Sequence, residues 1–129
     1  MKRPALHHNH KYDFRIYVLI TSAISPMQIY LFNDGLVRLA SREYDGKSNF
    51  EDCYVHLTNY SLNKDSKDFD PNKHKLRLKD VLSGELISAS PNGKTYRKHS
   101  KQIWSEIEQI MVKTIFVVQP QLAHLYRTS

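Results

Sequence analysis

The chain has 129 residues, 40% of them hydrophobic and 25% charged, enough for one domain with its own core, and a single domain is expected. Nineteen basic against thirteen acidic residues leave a formal charge of +6, which favours an anionic partner such as a nucleotide, a nucleic acid or an acidic peptide. The expectation is a cytosolic protein, because no apolar run approaches the roughly 20 residues that cross a bilayer and the N-terminus lacks the apolar segment of a secretory signal. The single cysteine, Cys53, excludes an internal disulfide framework and reads as a small buried hydrophobe in a reducing compartment.

Residues 1–10 read as an unstructured lead-in. His7, His8 and His10 crowd together there, but zinc needs three or four ligands at defined spacing and the cysteine lies far along the chain, so surface histidines are expected. A strand follows over Tyr12–Thr21. Residues two apart share a face, so Lys11, Asp13 and Arg15 point one way and Phe14, Ile16, Val18 and Ile20 the other. Charge in such a strand marks either a site or a solvated sheet edge. Ser25-Pro26 then marks a turn, Met27–Asn33 a second strand, and Asp34-Gly35 a two-residue hairpin from which Leu36–Ser41 returns antiparallel. That register sets Arg38 opposite Leu31, among Leu36 and Ala40, where it either snorkels to water or faces a bound anion.

Asp45–Asn49 is a polar loop and Cys53–Ser61 a further short strand. In a regular strand Thr58 and Asn59 face opposite ways, so both reach one ligand only if the strand ends or bulges there. His56 shares the parity of Thr58 and reads as a satisfied or supporting histidine. Residues 62–75 read as a mobile loop in which Pro71 breaks any helix. A short helix is expected over Lys75–Leu82, with Leu78, Val81 and Leu82 on one side and Gly84 closing it. Residues 84–99 are polar, with a turn at Pro91-Asn92-Gly93, and are expected to be flexible. Ile103, Trp104, Ile107, Ile110, Met111, Thr114, Ile115 and Val118 recur at the period of an amphipathic helix, capped by Ser100 and ended or kinked at Pro120. The fold class is α+β: a mainly antiparallel sheet with one short helix and one long C-terminal helix. As an isolated chain such a sheet, with apolar faces and strand edges exposed, is expected to be only marginally stable.

Gly-rich phosphate loops, a Rossmann fingerprint, a Ser-His-Asp order and paired-cysteine zinc motifs are all absent from the sequence. Four segments, however, carry a resemblance: Lys11-Tyr12-Asp13-Phe14-Arg15, the run from Ile29 to Arg38, His56-Leu57-Thr58-Asn59, and Lys113-Thr114-Ile115. Together they resemble the tubulin tyrosine ligase-like family of ATP-grasp ligases, over the middle portion of its catalytic domain. The resemblance implies a partial ATP-grasp domain across 1–129 that joins an amine to a carboxylate through an acyl phosphate, with ATP and Mg2+ as cofactors.

On that resemblance Lys11 and Asp13 contact the nucleotide, while Arg15 and Arg38 are catalytic and face the terminal phosphate or the acyl phosphate. Thr58 and Asn59 line the cleft near the phosphates and the incoming amino acid. The family's magnesium ligands lie C-terminal to the long helix, so no metal ligand is assigned and the chain alone is expected not to ligate. His56–Ser61 with Asn63-Lys64 resembles the glutamate-adding members, which implies free glutamate, acidic C-terminal tails of α/β-tubulin and microtubules as partners, without a membrane. The implied location is the cytoplasm and cytoskeleton, including cilium or basal body. Two other readings stand beside it: a non-catalytic tubulin-binding or microtubule-binding remnant, and a small basic nucleic-acid module. Scattered aromatics could stack bases in the latter, but no stacking-sheet signature supports it.

Overall fold

The computed structural model describes residues 4–46, 50–83 and 100–128. In chain order the elements are β1 (Leu6–His7), β2 (His10–Ser22), β3 (Gln28–Leu39), α1 (Cys53–His56), α2 (Tyr60–Asn63), α3 (Pro71–His74), β4 (Lys75–Arg77), α4 (Leu78–Ser83) and α5 (Ser100–Thr128). The strands lie in the order β1-β2-β3-β4, and β1 with β2, and β3 with β4, pair antiparallel. The expected α+β class, with a mainly antiparallel sheet and a long C-terminal helix, therefore stands.

The described residues fall into two compact units. The first takes residues 4–15 and 34–83. Its core is Val37, Leu39 and Ala40 from β3 and its end, Val55 from α1, and Leu78 and Val81 from α4, all buried. Leu78 and Val81 are the inward residues expected of the short helix. That helix begins at Leu78 rather than Lys75, because Lys75, Leu76 and Arg77 pair with Arg38, Val37 and Leu36.

The expected unstructured lead-in is replaced, from Leu6 on, by a hairpin. Leu6 pairs with Lys11 and His7 with His10. His8 and Asn9 both carry positive φ, 47° and 65°, which a two-residue turn of this twist requires. His7 is buried rather than superficial.

Asp34-Gly35 makes no hairpin. β3 runs through it without a break, and the chain reverses between β2 and β3 around the cis Ser25–Pro26 peptide. Local composition favours a turn at Asp34, but distant partners hold it extended. Its carboxylate accepts from the Gly35 N–H at 2.8 Å, the Lys79 N–H at 3.1 Å, and Arg77 Nη2 and Nε at 2.8 and 3.2 Å. Arg38 accordingly pairs with Lys75 instead of standing opposite Leu31.

The Arg77 hydrogen bond, followed by the Gly35 N–H, holds the Asp34 carboxyl down to about 2 from its ordinary value near 3.8. A depressed carboxyl stabilises the fold above its unfolded pKa and loses that contribution as pH falls through the folded value. Urea midpoints measured between pH 5 and pH 2 should therefore drop more steeply for the native protein than for Asp34→Asn. Parallel curves would remove Asp34 as an acid-sensitive anchor.

The strand expected over Cys53–Ser61 is two helical turns joined by an extended link. Asp52 caps α1 by accepting from Tyr54 N–H at 3.1 Å, and Leu57 N–H bonds Cys53 O at 2.8 Å. Cys53 is half-buried, not a core residue. The loop expected over 62–75 likewise holds structure. Pro71 opens α3 where its missing N–H costs nothing, and Asp70 caps that turn through the Asn72 N–H at 2.9 Å.

The second unit takes residues 16–33 and 100–128. Ala23, Ile103, Ile115 and Ala123 are buried in it, and Gln119 Nε2 donates to Ala23 O at 3.1 Å. α5 begins at Ser100 itself and continues through Pro120 for 29 residues, although a proline gives no N–H to the carbonyl four residues back. Its second half carries exposed Phe116, Val117, Leu125 and Tyr126, and on the strands Leu19, Tyr30 and Phe32 are exposed too. Val18 is 40% exposed, so the apolar face read from the β2 alternation is only partly covered. Among the described residues no helix is long and apolar enough to cross a membrane. Gly84, the turn at Pro91-Asn92-Gly93 and the rest of 84–99, with residues 1–3 and 47–49, lie outside the described residues.

Candidate functional site

The charged face of β2 lies in the first unit, and β3 completes it. Ala40 N–H donates to Lys11 O at 2.9 Å and His10 Nδ1 donates to Ala40 O at 2.8 Å, which fixes the two strands side by side. Asp13, two residues after Lys11 in β2, meets Arg38 of β3, two residues before Ala40: Arg38 Nε donates to Asp13 Oδ1 at 3.0 Å, and Arg38 Nη2 closes a second bond to Oδ2. The pair is part-buried, with side-chain exposures of 26% for Arg38 and 36% for Asp13. Arg38 therefore neither snorkels freely nor stands alone, since a planar fork gripped by both carboxylate oxygens is fixed in direction. Each oxygen of Asp13 keeps a further lone pair for a hydroxyl or amine.

Lys11 Nζ lies 2.7 Å from His56 Nδ1 and 4.4 Å from the centre of the Tyr44 ring. An ammonium has only donors, so Nδ1 is the acceptor and the imidazole proton sits on Nε2. The Tyr44 ring meets the imidazole edge-on at 6.0 Å and Phe50 stacks on it at 5.7 Å. Tyr12, between Lys11 and Asp13, has its phenol pushed up by burial. Arg15 stands exposed two residues beyond Asp13.

Thr58 and Asn59 lie in the extended link between α1 and α2, Thr58 half-buried and Asn59 exposed. The parity objection to their serving one ligand disappears, because no regular strand constrains them. Asn63 shapes the link. Fully buried, it donates from Nδ2 to Leu57 O at 2.8 Å and Asn59 O at 3.0 Å, and accepts at Oδ1 from Ser41 N–H at 2.8 Å. One side chain thus ties the link to the end of β3. Arg42 reinforces the join, bonding Asp68 at 2.9 Å and Asp52 at 3.1 Å.

Lys11, Asp13 and Arg38 are thus brought together on one face, and the Lys11–His56 bond joins that face to the segment bearing Thr58 and Asn59. Sequence reasoning missed Tyr44, named Asn63 only within the resemblance and without its structural part, and gave His56 no partner. Only the position of His56, two residues before Thr58, offered a signal. Lys11, Arg15 and Arg38 are cationic donors, with Arg38 gripped by Asp13, a donor set suited to a polyphosphate. Among the described residues no group of three or more His, Cys, Asp or Glu side chains could hold a metal ion.

The profile of the Tubulin-tyrosine ligase family matches residues 1–128. The chain is similar to tubulin polyglutamylase ttll-5 of Caenorhabditis elegans, at 39% identity over 100% of this chain and 18% of that protein. Tubulin polyglutamylase TTLL7 of Mus musculus is 36% identical over 98% of the chain and 14% of that protein. Tubulin polyglutamylase TTLL6 of Homo sapiens is 35% identical over 99% and 14%. The chain thus spans less than a fifth of the length of these relatives.

Proposed function

The chain belongs to the tubulin-tyrosine ligase family, and from that premise we propose that it forms the phosphate-binding part of an ATP-dependent ligase that adds glutamate to glutamate side chains in tubulin tails. The observation that carries the reading is the Arg38–Asp13 fork, with Lys11 two residues before Asp13 in the same strand. The polyglutamylase names of the relatives supply the choice of glutamate. Tubulin as substrate sets the working location in the cytoplasm and on the cytoskeleton.

A carboxylate resists attack because its charge is delocalised and oxide leaves poorly. ATP supplies a phosphoryl group that turns it into an acyl phosphate, which the glutamate amine can attack. Lys11 binds the nucleotide as a point charge, and Asp13 offers its remaining lone pairs to a ribose hydroxyl or an amine. Arg38, already aimed by Asp13, donates to the phosphoryl oxygens where charge spreads as the group transfers, and Arg15 adds a second cation. Thr58 and Asn59 line the approach of the incoming amino acid.

The test is transfer of labelled glutamate to tubulin by the whole protein. ATP-dependent incorporation that disappears when the acidic tails are removed is the expected result. Tail-dependent cosedimentation with microtubules, without incorporation, would overturn the ligase reading in favour of a binding remnant.

A further inference from the structure

His56 touches neither nucleotide nor amino acid in the scheme above, yet it is held in place by the structure around it. It is the last residue of α1, a turn held by the Asp52 cap, by the Leu57 N–H to Cys53 O bond and by buried Val55. Its Nδ1 stands 2.7 Å from Lys11 Nζ. On another side of the ammonium is the Tyr44 ring, 4.4 Å away, and Tyr44 is itself tied to the β1–β2 turn by its N–H to Asn9 O bond of 2.8 Å. A lysine stem has four rotatable carbons and a strongly hydrated head, so an ammonium without fixed neighbours is a diffuse charge. In this protein an acceptor and a ring face hold it in one place.

We infer that His56 is the positioning residue for Lys11: its Nδ1 lone pair, with the Tyr44 ring, fixes the ammonium where the nucleotide phosphates are to be met. The inference rests on the reading of Lys11 as a nucleotide contact. It requires an acceptor at that point, not an imidazole as such. Asparagine carries an oxygen at nearly the same distance from Cβ as Nδ1 and should serve, whereas leucine fills similar space and offers nothing to the ammonium.

ATP affinity of the whole protein, by equilibrium titration, tests this on four variants. His56→Leu is expected to weaken ATP binding about tenfold, the effect of losing one charged hydrogen bond, and His56→Asn to stay within about threefold of native. Lys11→Met should match His56→Leu, and the double variant should bind no worse than Lys11→Met alone, because the two side chains act as one unit. Unchanged affinity in His56→Leu, or losses that multiply in the double variant, would overturn the inference. If Lys11→Met leaves ATP affinity intact, it is the nucleotide reading that fails. The coupling is then judged by the 15N resonance of His56 Nδ1 alone: a shift on Lys11→Met upholds the pairing, and an unmoved resonance rejects it. That resonance also decides the matter if His56→Leu fails to fold.

Discussion

Asn63→Ala is expected to remove about 3 kcal/mol of folding stability, a large effect for one polar side chain and a fall that a urea midpoint would show directly. The side chain is fully buried and serves three backbone groups: the Ser41 N–H and the carbonyls of Leu57 and Asn59. Truncation strips partners from groups held away from water, and each such group costs roughly 1–3 kcal/mol when unsatisfied. Asn63→Asp should be no better. It keeps an acceptor for Ser41 but turns a second oxygen toward two carbonyls. A midpoint within about 0.5 kcal/mol of native for either variant, the range of ordinary surface substitutions, would show that the link over Thr58 and Asn59 does not depend on Asn63.

Arg38→Lys should lower the rate of glutamate transfer about a hundredfold, the scale of removing one preorganised donor to a developing anion, while leaving stability nearly unchanged. Lysine keeps the positive charge and one bond to Asp13. What it loses is the planar fork that both Asp13 oxygens grip, and with it the fixed direction of the remaining donors. Initial rates of labelled incorporation and urea midpoints, taken on the same preparations, separate the two effects. A rate within about threefold of native would remove Arg38 from the phosphoryl-transfer step, since a donor that matters costs far more.

What the sequence made legible was governed by local periodicity. Two-residue alternation in β2 placed Lys11, Asp13 and Arg15 on a shared face, and the period of α5 gave the long helix from Ile103 onward. The short strand read over Cys53–Ser61 misled, because a run of that length fits a strand or a pair of helical turns. Asp52 before the run and Asp70 before Pro71 were capping signals that a stricter reading would have weighed. Asp34-Gly35 failed for a different reason. Its composition is that of a turn, but its carboxylate is held by Arg77 and by the Lys79 N–H, more than forty positions later in the chain, and no window of sequence contains that contact. Asn63 and the Lys11–His56 bond are legible only in three dimensions for the same reason. Nor did Pro120 stop α5, where Gln119 beside it is bonded to Ala23 O.

The most direct test of the central claim is the fate of an oxygen atom. The whole protein would be given ATP, glutamate and a tubulin-tail peptide whose glutamate side-chain carboxylates are labelled with 18O, and the inorganic phosphate released would be weighed by mass spectrometry. If the carboxylate oxygen attacks the terminal phosphorus and later departs with it as the amide forms, each ligation must place one labelled oxygen in phosphate. Phosphate carrying no label, while glutamate is still joined to the peptide, would contradict activation through an acyl phosphate and with it the part of Arg38 in stabilising phosphoryl transfer.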